Sequence, residues 1–440
     1  MIEAKIKQRK RNLSSELSKI PIEKSWSFAD KTIKDTSYIT HGYYTYPAKF
    51  IPQLASRLIL EHSKEGDIVV DPFLGSGTTV IESLVNKRIG IGVDINNIAY
   101  LIAKVKSTPI NFSTLSNEFT LLSFDLENRL NGKFDYYLRQ AEKKIPNNPR
   151  IDYWFKKEEK EKLSIIFSRI LEIENNDVKD FFLVAFAQIL KSCSIWLQKS
   201  VKPTRDFKKN ISEPTSLFLR QCRKLLRKHN EFDNLLNDEV KRNIKKYRIV
   251  QCGDSREIPC DNNKATLIVT SPPYVTSYEY ADLHQLPSLW FSYLNELSEF
   301  RKKFIGSSYK ERSEINLKSS LADEIVRKLG NGTKALEVKN YFADMFESFI
   351  EMKRVLKKHG KACIVIGNTQ LQKVDILNAE VFQEQFENIG FKTYKIVHRE
   401  IPSKMLPSTR DPKTGKFTTV DDKGMKLAYP TEYILVMEKQ

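Results

Sequence analysis

The sequence predicts an α/β fold: a parallel sheet interrupted by a large helical insertion. Three observations predict it. A strand, a glycine turn, a helix and a second strand follow one another between residues 67 and 94. The stretch from about 100 to 245 is amphipathic and almost free of glycine. Strand signals then return at 247–252, 265–270, 362–367, 392–400 and 432–438. Strands that alternate with helical patterns indicate a parallel sheet.

The elements follow in order. Residues 1–45 read as a basic N-terminal arm leading into Tyr43, Tyr44 and Tyr46. Helical apolar spacing runs from Pro47 to about Leu60. Asp67-Ile-Val-Val-Asp71 is a short buried strand, Thr78 to about Lys87 a helix, and Ile89–Asp94 a second strand. Residues 46–104 thus form the first half of a core, 105–245 a helical insertion, and 246–440 the second half. Asp177–Leu197 is the clearest helix of the insertion. Tyr341–Lys358 is amphipathic, with His359-Gly360 as its C-terminal stop signal. A further helix ends near Asn388, and the last two strands enclose a basic loop at 402–430.

Composition narrows the function. The 440 residues carry 72 Lys and Arg against 55 Asp and Glu, a net charge of +17. That excess implies an acidic partner, most often nucleic acid. The five cysteines form no CxxC pair, which argues against a disulfide framework and a structural zinc site, so no metal is expected. The basic N-terminus has no apolar core of a secretory signal, and no apolar run is long enough to span a bilayer. A soluble, cytoplasmic protein with no membrane partner is the expectation.

Four motifs carry chemistry. Asp71-Pro72-Phe73-Leu74-Gly75-Ser76-Gly77-Thr78-Thr79 turns directly from a strand into a helix, where a ligand can approach the backbone. It lacks the third glycine of a dinucleotide fingerprint and the lysine of a Walker loop, so neither phosphate-binding pattern is complete. Asp94 ends the next strand, placed to accept from ribose hydroxyls, with Ile95 beside it. Together these suggest a nucleoside ligand without a pyrophosphate, such as S-adenosyl-L-methionine. Gly253-Asp254 closes a third strand, where a carboxylate can accept the exocyclic amine of adenine. Thr270-Ser271-Pro272-Pro273-Tyr274 closes a fourth. Its prolines remove backbone donors, its Ser and carbonyls can hold an NH₂ group, and its Tyr can stack on a flat base.

Taken together, these residues resemble the exocyclic-amino DNA methyltransferases, which methylate N4 of cytosine or N6 of adenine. DPFLGSGTT resembles their cofactor motif, GVD at 92–94 the ribose-binding motif, and TSPPY the catalytic motif. Tyr46-Pro-Ala-Lys-Phe50 resembles the segment that covers the methionine end of the cofactor. The resemblance covers roughly 40–100, 247–295 and 340–440, and leaves 105–245 unassigned. It implies a Rossmann-like S-adenosylmethionine-dependent methyltransferase sheet. Ser-Pro-Pro-Tyr is the form associated with cytosine N4, whereas Asp or Asn before the prolines is more usual for adenine N6.

The implied reaction uses no metal and no covalent intermediate. Ser271 and the Pro272 carbonyl would accept from the base amine, which attacks the sulfonium methyl. Tyr274 would stack on a base flipped out of double-stranded DNA. A restriction endonuclease acting separately would be the companion of such an enzyme. The alternatives are N6-adenine methylation, a tRNA or rRNA guanine-N2 methyltransferase, and a DNA-binding module with an inactive fold. Lys202, Arg205, Arg220, Arg223 and Arg227, with Lys404 and Arg410 of the terminal loop, are the candidate phosphate contacts.

Overall fold

The computed structural model describes residues 17–47, 49–132, 134–200, 202–275, 280–294, 297–307, 316–402, 409–410, 417–418, 426–427 and 430–440. Its centre is a seven-stranded sheet of β1 (Ile68–Asp71), β2 (Ile89–Asp94), β3 (Arg248–Cys252), β4 (Ala265–Thr270), β5 (Leu356–Ile366), β6 (Phe391–Glu400) and β7 (Thr431–Lys439). The strands lie in the order β3-β2-β1-β4-β5-β7-β6. β7 runs antiparallel to both neighbours, β5 and β6; the other pairings are parallel. From β1 the chain builds outward to β2 and β3, then returns to β4 on the other side. The strand order therefore reverses between β1 and β4, and ligands of open α/β sheets bind at the carboxyl ends of strands at such a point.

Alternation along the strands explains how both faces are covered. Val69, Leu267, Val269, Val365 and Ile434 pack with Leu54, Leu58 and Ile59 of α1 (Pro52–His62) and with Trp26. Val70, Ile268, Ile364 and Leu435 face the other way. There they meet Phe342, Met345 and Phe349 of α11 (Thr333–Val355) and Phe382 and Phe386 of α12 (Asn378–Asn388). From Leu17 on, the N-terminal segment lies on the sheet: Ile22 bridges to His398 of edge strand β6, and Trp26 is buried.

The first core half ends in α3 (Asn97–Lys106), and the insertion contains α4 (Phe112–Asn131), α5 (Phe134–Glu142), α6 (Pro149–Trp154), α7 (Lys157–Leu171), α8 (Asn176–Ile189) and α9 (Pro214–Leu235). These helices share one apolar core, around Phe167, Phe181, Phe186 and Phe218. Tyr43, Tyr44 and Tyr46 belong to it, as do Leu286, Leu289 and Trp290 of α10 (Gln285–Trp290). The insertion thus packs directly against the segments on either side of the crevice described below.

Two expected boundaries differ. The helix expected to run to Leu197 ends at Ile189. Apolar periodicity continues through buried Cys193, Ile195 and Trp196. However, the Ser194 hydroxyl donates to the Lys191 carbonyl and accepts from Trp196 N–H, satisfying a turn instead of another helical rung. His359-Gly360 is not a helix stop, because α11 already ends at Val355. His359 has φ +62° inside β5, where residues 357–360 loop out of register opposite Ala265–Leu267.

Candidate functional site

The turn from β1 into α2 (Thr78–Val85) sits at the switch point. Gly75 and Gly77 adopt φ of +48° and +81°, in the left-handed region that favours glycine. Buried Asp71 accepts from Phe73 N–H at 3.1 Å and from the Thr270 hydroxyl at 2.6 Å. Thr79 donates to the Val269 carbonyl at 2.9 Å. The glycine turn is thereby tied to β4, the strand that carries the second motif. Asp94 accepts from Gly75 N–H at 2.8 Å and Asn96 N–H at 2.9 Å. Behind the turn, the ammonium of fully buried Lys106 donates to the Ser76 carbonyl at 2.6 Å. Desolvation raises the carboxyls of Asp71 and Asp94 to about 6 each. Hydrogen bonds to each carboxylate work in the opposite direction.

A single crevice runs from this turn to the end of β4. Its walls include Tyr46, Phe50, Asp71, Pro72, Phe73, Gly75, Ser76, Thr78, Asp94, Ile95, Asp254, Ser271, Pro273 and Tyr274. Two of the expected site residues are not on the wall. Gly77 lies beneath the turn, against Ala103. Pro272 is buried behind its neighbours.

The Thr270–Tyr274 segment is held from several directions. The Tyr341 hydroxyl of α11 donates to the Pro273 carbonyl at 2.8 Å, whereas the Pro272 carbonyl accepts no hydrogen bond among the described residues. Tyr274 donates to Glu432 at 2.9 Å, and Glu432 pairs with Arg399 at 3.0 Å. Asp254 carries the Arg256 guanidinium on both oxygens, at 2.8 and 2.6 Å, and Arg256 also reaches Asp344 and Glu347.

The residues present fit S-adenosylmethionine. A carboxylate faces the crevice at the end of β2, the aromatic rings of Tyr46 and Phe50 line one wall, and the buried Ser76 hydroxyl has no partner of its own.

Several wall residues carry no motif of their own. Lys49 donates to the His41 carbonyl at 2.8 Å, and burial lowers its ammonium to about 8. It lies within the Tyr46–Phe50 segment, so its neighbours in the chain already point to it. Arg301, Lys303 and residues 304–307 close the far side, anchored on α11 by Gly306 N–H to Asp344 and by Asn340 to the Ser307 carbonyl. Fully buried His284 touches the Asn96 amide at 2.8 Å and sits against Tyr46. It links the segment after Tyr274 to the loop after β2 and to Tyr46.

The sequence pattern of the N6/N4-type DNA methylases matches residues 2–105 and 265–440. The chain belongs to that family. The methylase is 27% identical over 407 residues to the type II methyltransferase M.MvaI of Kocuria varians, covering 86% of this chain and 87% of that one. It is 24% identical over 488 residues to the type II methyltransferase M.MjaII of Methanocaldococcus jannaschii, covering 91% and 84%. A 60-residue stretch, 14% of this chain and 20% of the relative, is 40% identical to the DNA adenine methyltransferase YhdJ of Escherichia coli. The family pattern omits residues 106–264, the span that holds most of the insertion.

Of the candidate DNA contacts of the methylase, Lys202, Arg205, Arg220, Arg223 and Arg227 do not line the crevice. Arg220, Arg223 and Arg227 are exposed along one face of α9, whose other face buries Phe218, Cys222 and Leu225. Lys202 and Arg205 belong to a short turn beside Trp196. Lys209, in the same basic run, is turned inward onto the Lys191 and Trp196 carbonyls. Lys404 lies outside the described residues, and Arg410 is described only by its backbone, in the strand Thr409–Arg410. All five cysteines are free, and no His, Cys, Asp and Glu cluster among the described residues could hold a metal. No helix among them is long and apolar enough to cross a membrane.

Proposed function

We propose that this DNA methyltransferase methylates N4 of a cytosine flipped out of duplex DNA, as the modification component of a restriction-modification system. The observation that carries the reading is Ser271, on the wall of the crevice in Thr-Ser-Pro-Pro-Tyr, with no partner for its hydroxyl among the described residues. S-adenosylmethionine supplies an electrophilic methyl group on a sulfonium. Asp94 accepts from its ribose hydroxyls, while Tyr46, Phe50 and Ile95 form the apolar wall. Asp254, oriented by Arg256, accepts from the adenine amine. Ser271 and the Pro272 carbonyl accept from the two N–H bonds of the target amine. This would turn its lone pair out of conjugation with the ring and toward the methyl; as the N–C bond forms the sulfonium S–C bond would break, S-adenosylhomocysteine would leave, and the surplus amine proton would pass to solvent. Positioning and stabilisation of developing charge supply the acceleration. Tyr274, its hydroxyl held by Glu432, offers a fixed ring for the flipped base. Arg220, Arg223 and Arg227 contact phosphates. The likeness to a DNA adenine methyltransferase over 60 residues favours N6-adenine as the second reading.

The test is incubation with labelled S-adenosylmethionine and plasmid DNA, with bulk tRNA in parallel, followed by nucleoside mass spectrometry. N4-methylcytosine is expected. Ser271→Ala should lose about 100-fold or more in kcat while cofactor binding persists. N6-methyladenine would overturn the choice of base, and label in tRNA alone the choice of polymer. Undiminished turnover by Ser271→Ala would remove that residue from the mechanism.

A further inference from the structure

One cationic side chain outside the crevice is held in an unusual way. Residues 195–197 and 204–206 pair antiparallel: Trp196 bridges Arg205, Leu197 N–H donates to Thr204, and Asp206 N–H donates to Ile195. The root of this hairpin is anchored on the insertion core. Trp196 stacks on Trp154 at 5.2 Å, and Lys209 clamps the Lys191 and Trp196 carbonyls from below. From this base the Arg205 guanidinium lies 4.1 Å from the ring centre of Tyr153 and 4.4 Å from that of Phe207. Both rings are exposed, at 46% and 65%. Arg205 makes no ion pair or side-chain hydrogen bond among the described residues, and its buried Nε has no acceptor. The nearby carboxylates are already engaged: Asp152 pairs with Lys160 at 2.6 Å, and Asp206 accepts from Lys208 N–H.

Core packing does not account for two exposed rings around an unpaired cation. Lys199, Lys202, Lys208 and Arg150 are exposed on the same segments, so the surroundings are electropositive and suit a polyanion. The surface is also coupled to the catalytic side of the fold. Arg150 and the Trp154 indole both donate to Gln285 Oε1, at 3.0 and 3.1 Å, and Gln285 begins α10, which follows the catalytic motif in the chain.

We propose that the Arg205–Tyr153–Phe207 cluster is a sequence-reading surface for the DNA substrate, with Arg205 recognising a guanine edge in the major groove. This rests on the DNA-methylation reading above. A base contact differs from a phosphate contact in what it reads. A phosphate accepts from a lysine charge as well as from an arginine fork, and carries no sequence information. A guanine presents O6 and N7 as two acceptors matched to the planar fork of arginine. Stacking against rings holds that fork in place before binding, so less freedom is lost on recognition. Tyr153 and Phe207 are positioning residues.

The experiment methylates a plasmid library carrying a randomised duplex segment. Single-molecule sequencing of the modified positions then gives the consensus for the wild type, Arg205→Lys and Arg205→Ala. Cofactor titration and thermal melting of each variant check that the fold is intact. Both variants should relax preference for guanine at one position by about ten-fold or more in relative kcat/KM, and leave the other positions unchanged. Retention of the full consensus by Arg205→Lys, or uniform weakening across all sequences with a shallower salt dependence, would make Arg205 a phosphate contact and overturn the proposal. A wild-type protein that binds the cofactor and labels no DNA would overturn the DNA reading itself, and this inference with it.

Discussion

Gly77 offers a quantitative test of how the cofactor turn is built. Its φ of +81° is matched almost perfectly by Gly66, at +82°. An added Cβ at Gly77 would lie 2.9 Å from Ala103 Cβ and 3.1 Å from Ala103 Cα, whereas at Gly66 it meets nothing within 4 Å. Left-handed backbone costs an L-residue about 1–2 kcal/mol, so Gly66→Ala should destabilise by about that amount. Gly77→Ala carries the same cost plus overpacking of about 1–3 kcal/mol against a buried helix. Relief can come only by lifting the turn off α3. That displaces Ser76 and the Gly75 N–H that Asp94 holds at 2.8 Å. Urea unfolding should therefore separate the two variants by about 1–3 kcal/mol. Cofactor titration should show weakened binding for Gly77→Ala alone. Adding Ala103→Gly removes the closest neighbour and should recover part of that affinity. Equal destabilisation by both variants, with cofactor affinity unchanged in both, would overturn this account of the turn.

Two further outcomes follow from the charges. Burial holds the Asp94 carboxyl at about 6, so the folded protein binds this proton more tightly than the unfolded chain does. This group's contribution to stability therefore falls as pH rises from about 4 to about 6 and is constant above. In the proposed cofactor site, the ionised form is the one that accepts from ribose. Cofactor affinity should accordingly be full above about pH 6 and weaken by up to about ten-fold per unit below it. Asp94→Asn should bind weakly throughout with a flatter profile; a wild-type Kd that does not change between about pH 7.5 and 5 would contradict this. Replacing Arg220, Arg223 and Arg227 with Gln should reduce the slope of log affinity against log salt by about 0.9 for each phosphate that is no longer neutralised. An unchanged slope in a filter-binding series would leave α9 as ordinary surface.

Local signals carry a long way in this chain. Ile89–Asp94 and Ala265–Thr270 coincide with β2 and β4, and the helix expected to end near Asn388 does so. The two strands are short runs of mainly apolar residues and glycine that stop at Asp94 and just before Ser271-Pro272, so neighbours in the chain specify them. The helix expected to reach Leu197 fails for a related reason. Apolar periodicity records burial, and burial continues through the turn after Ile189. The stop signal at His359-Gly360 fails because a left-handed residue serves a looped-out strand as well as a helix end.

The order of the elements, the glycine turn, the acid at the end of β2 and the catalytic motif at the end of β4 are all legible in the chain alone, because each is written within a few consecutive residues. What surrounds them comes from the way the chain closes on itself. Thr270 reaches Asp71 across 199 residues, Glu432 reaches Tyr274 across 158, and Tyr341 reaches Pro273 across 68. Lys106 looks like one more helical lysine until the fold buries it behind Ser76. Asp254 looks like a free turn carboxylate until α11 brings Asp344 and Glu347 to its arginine. Such contacts form only when distant elements meet, and no local spacing encodes the partner that each side chain finds there.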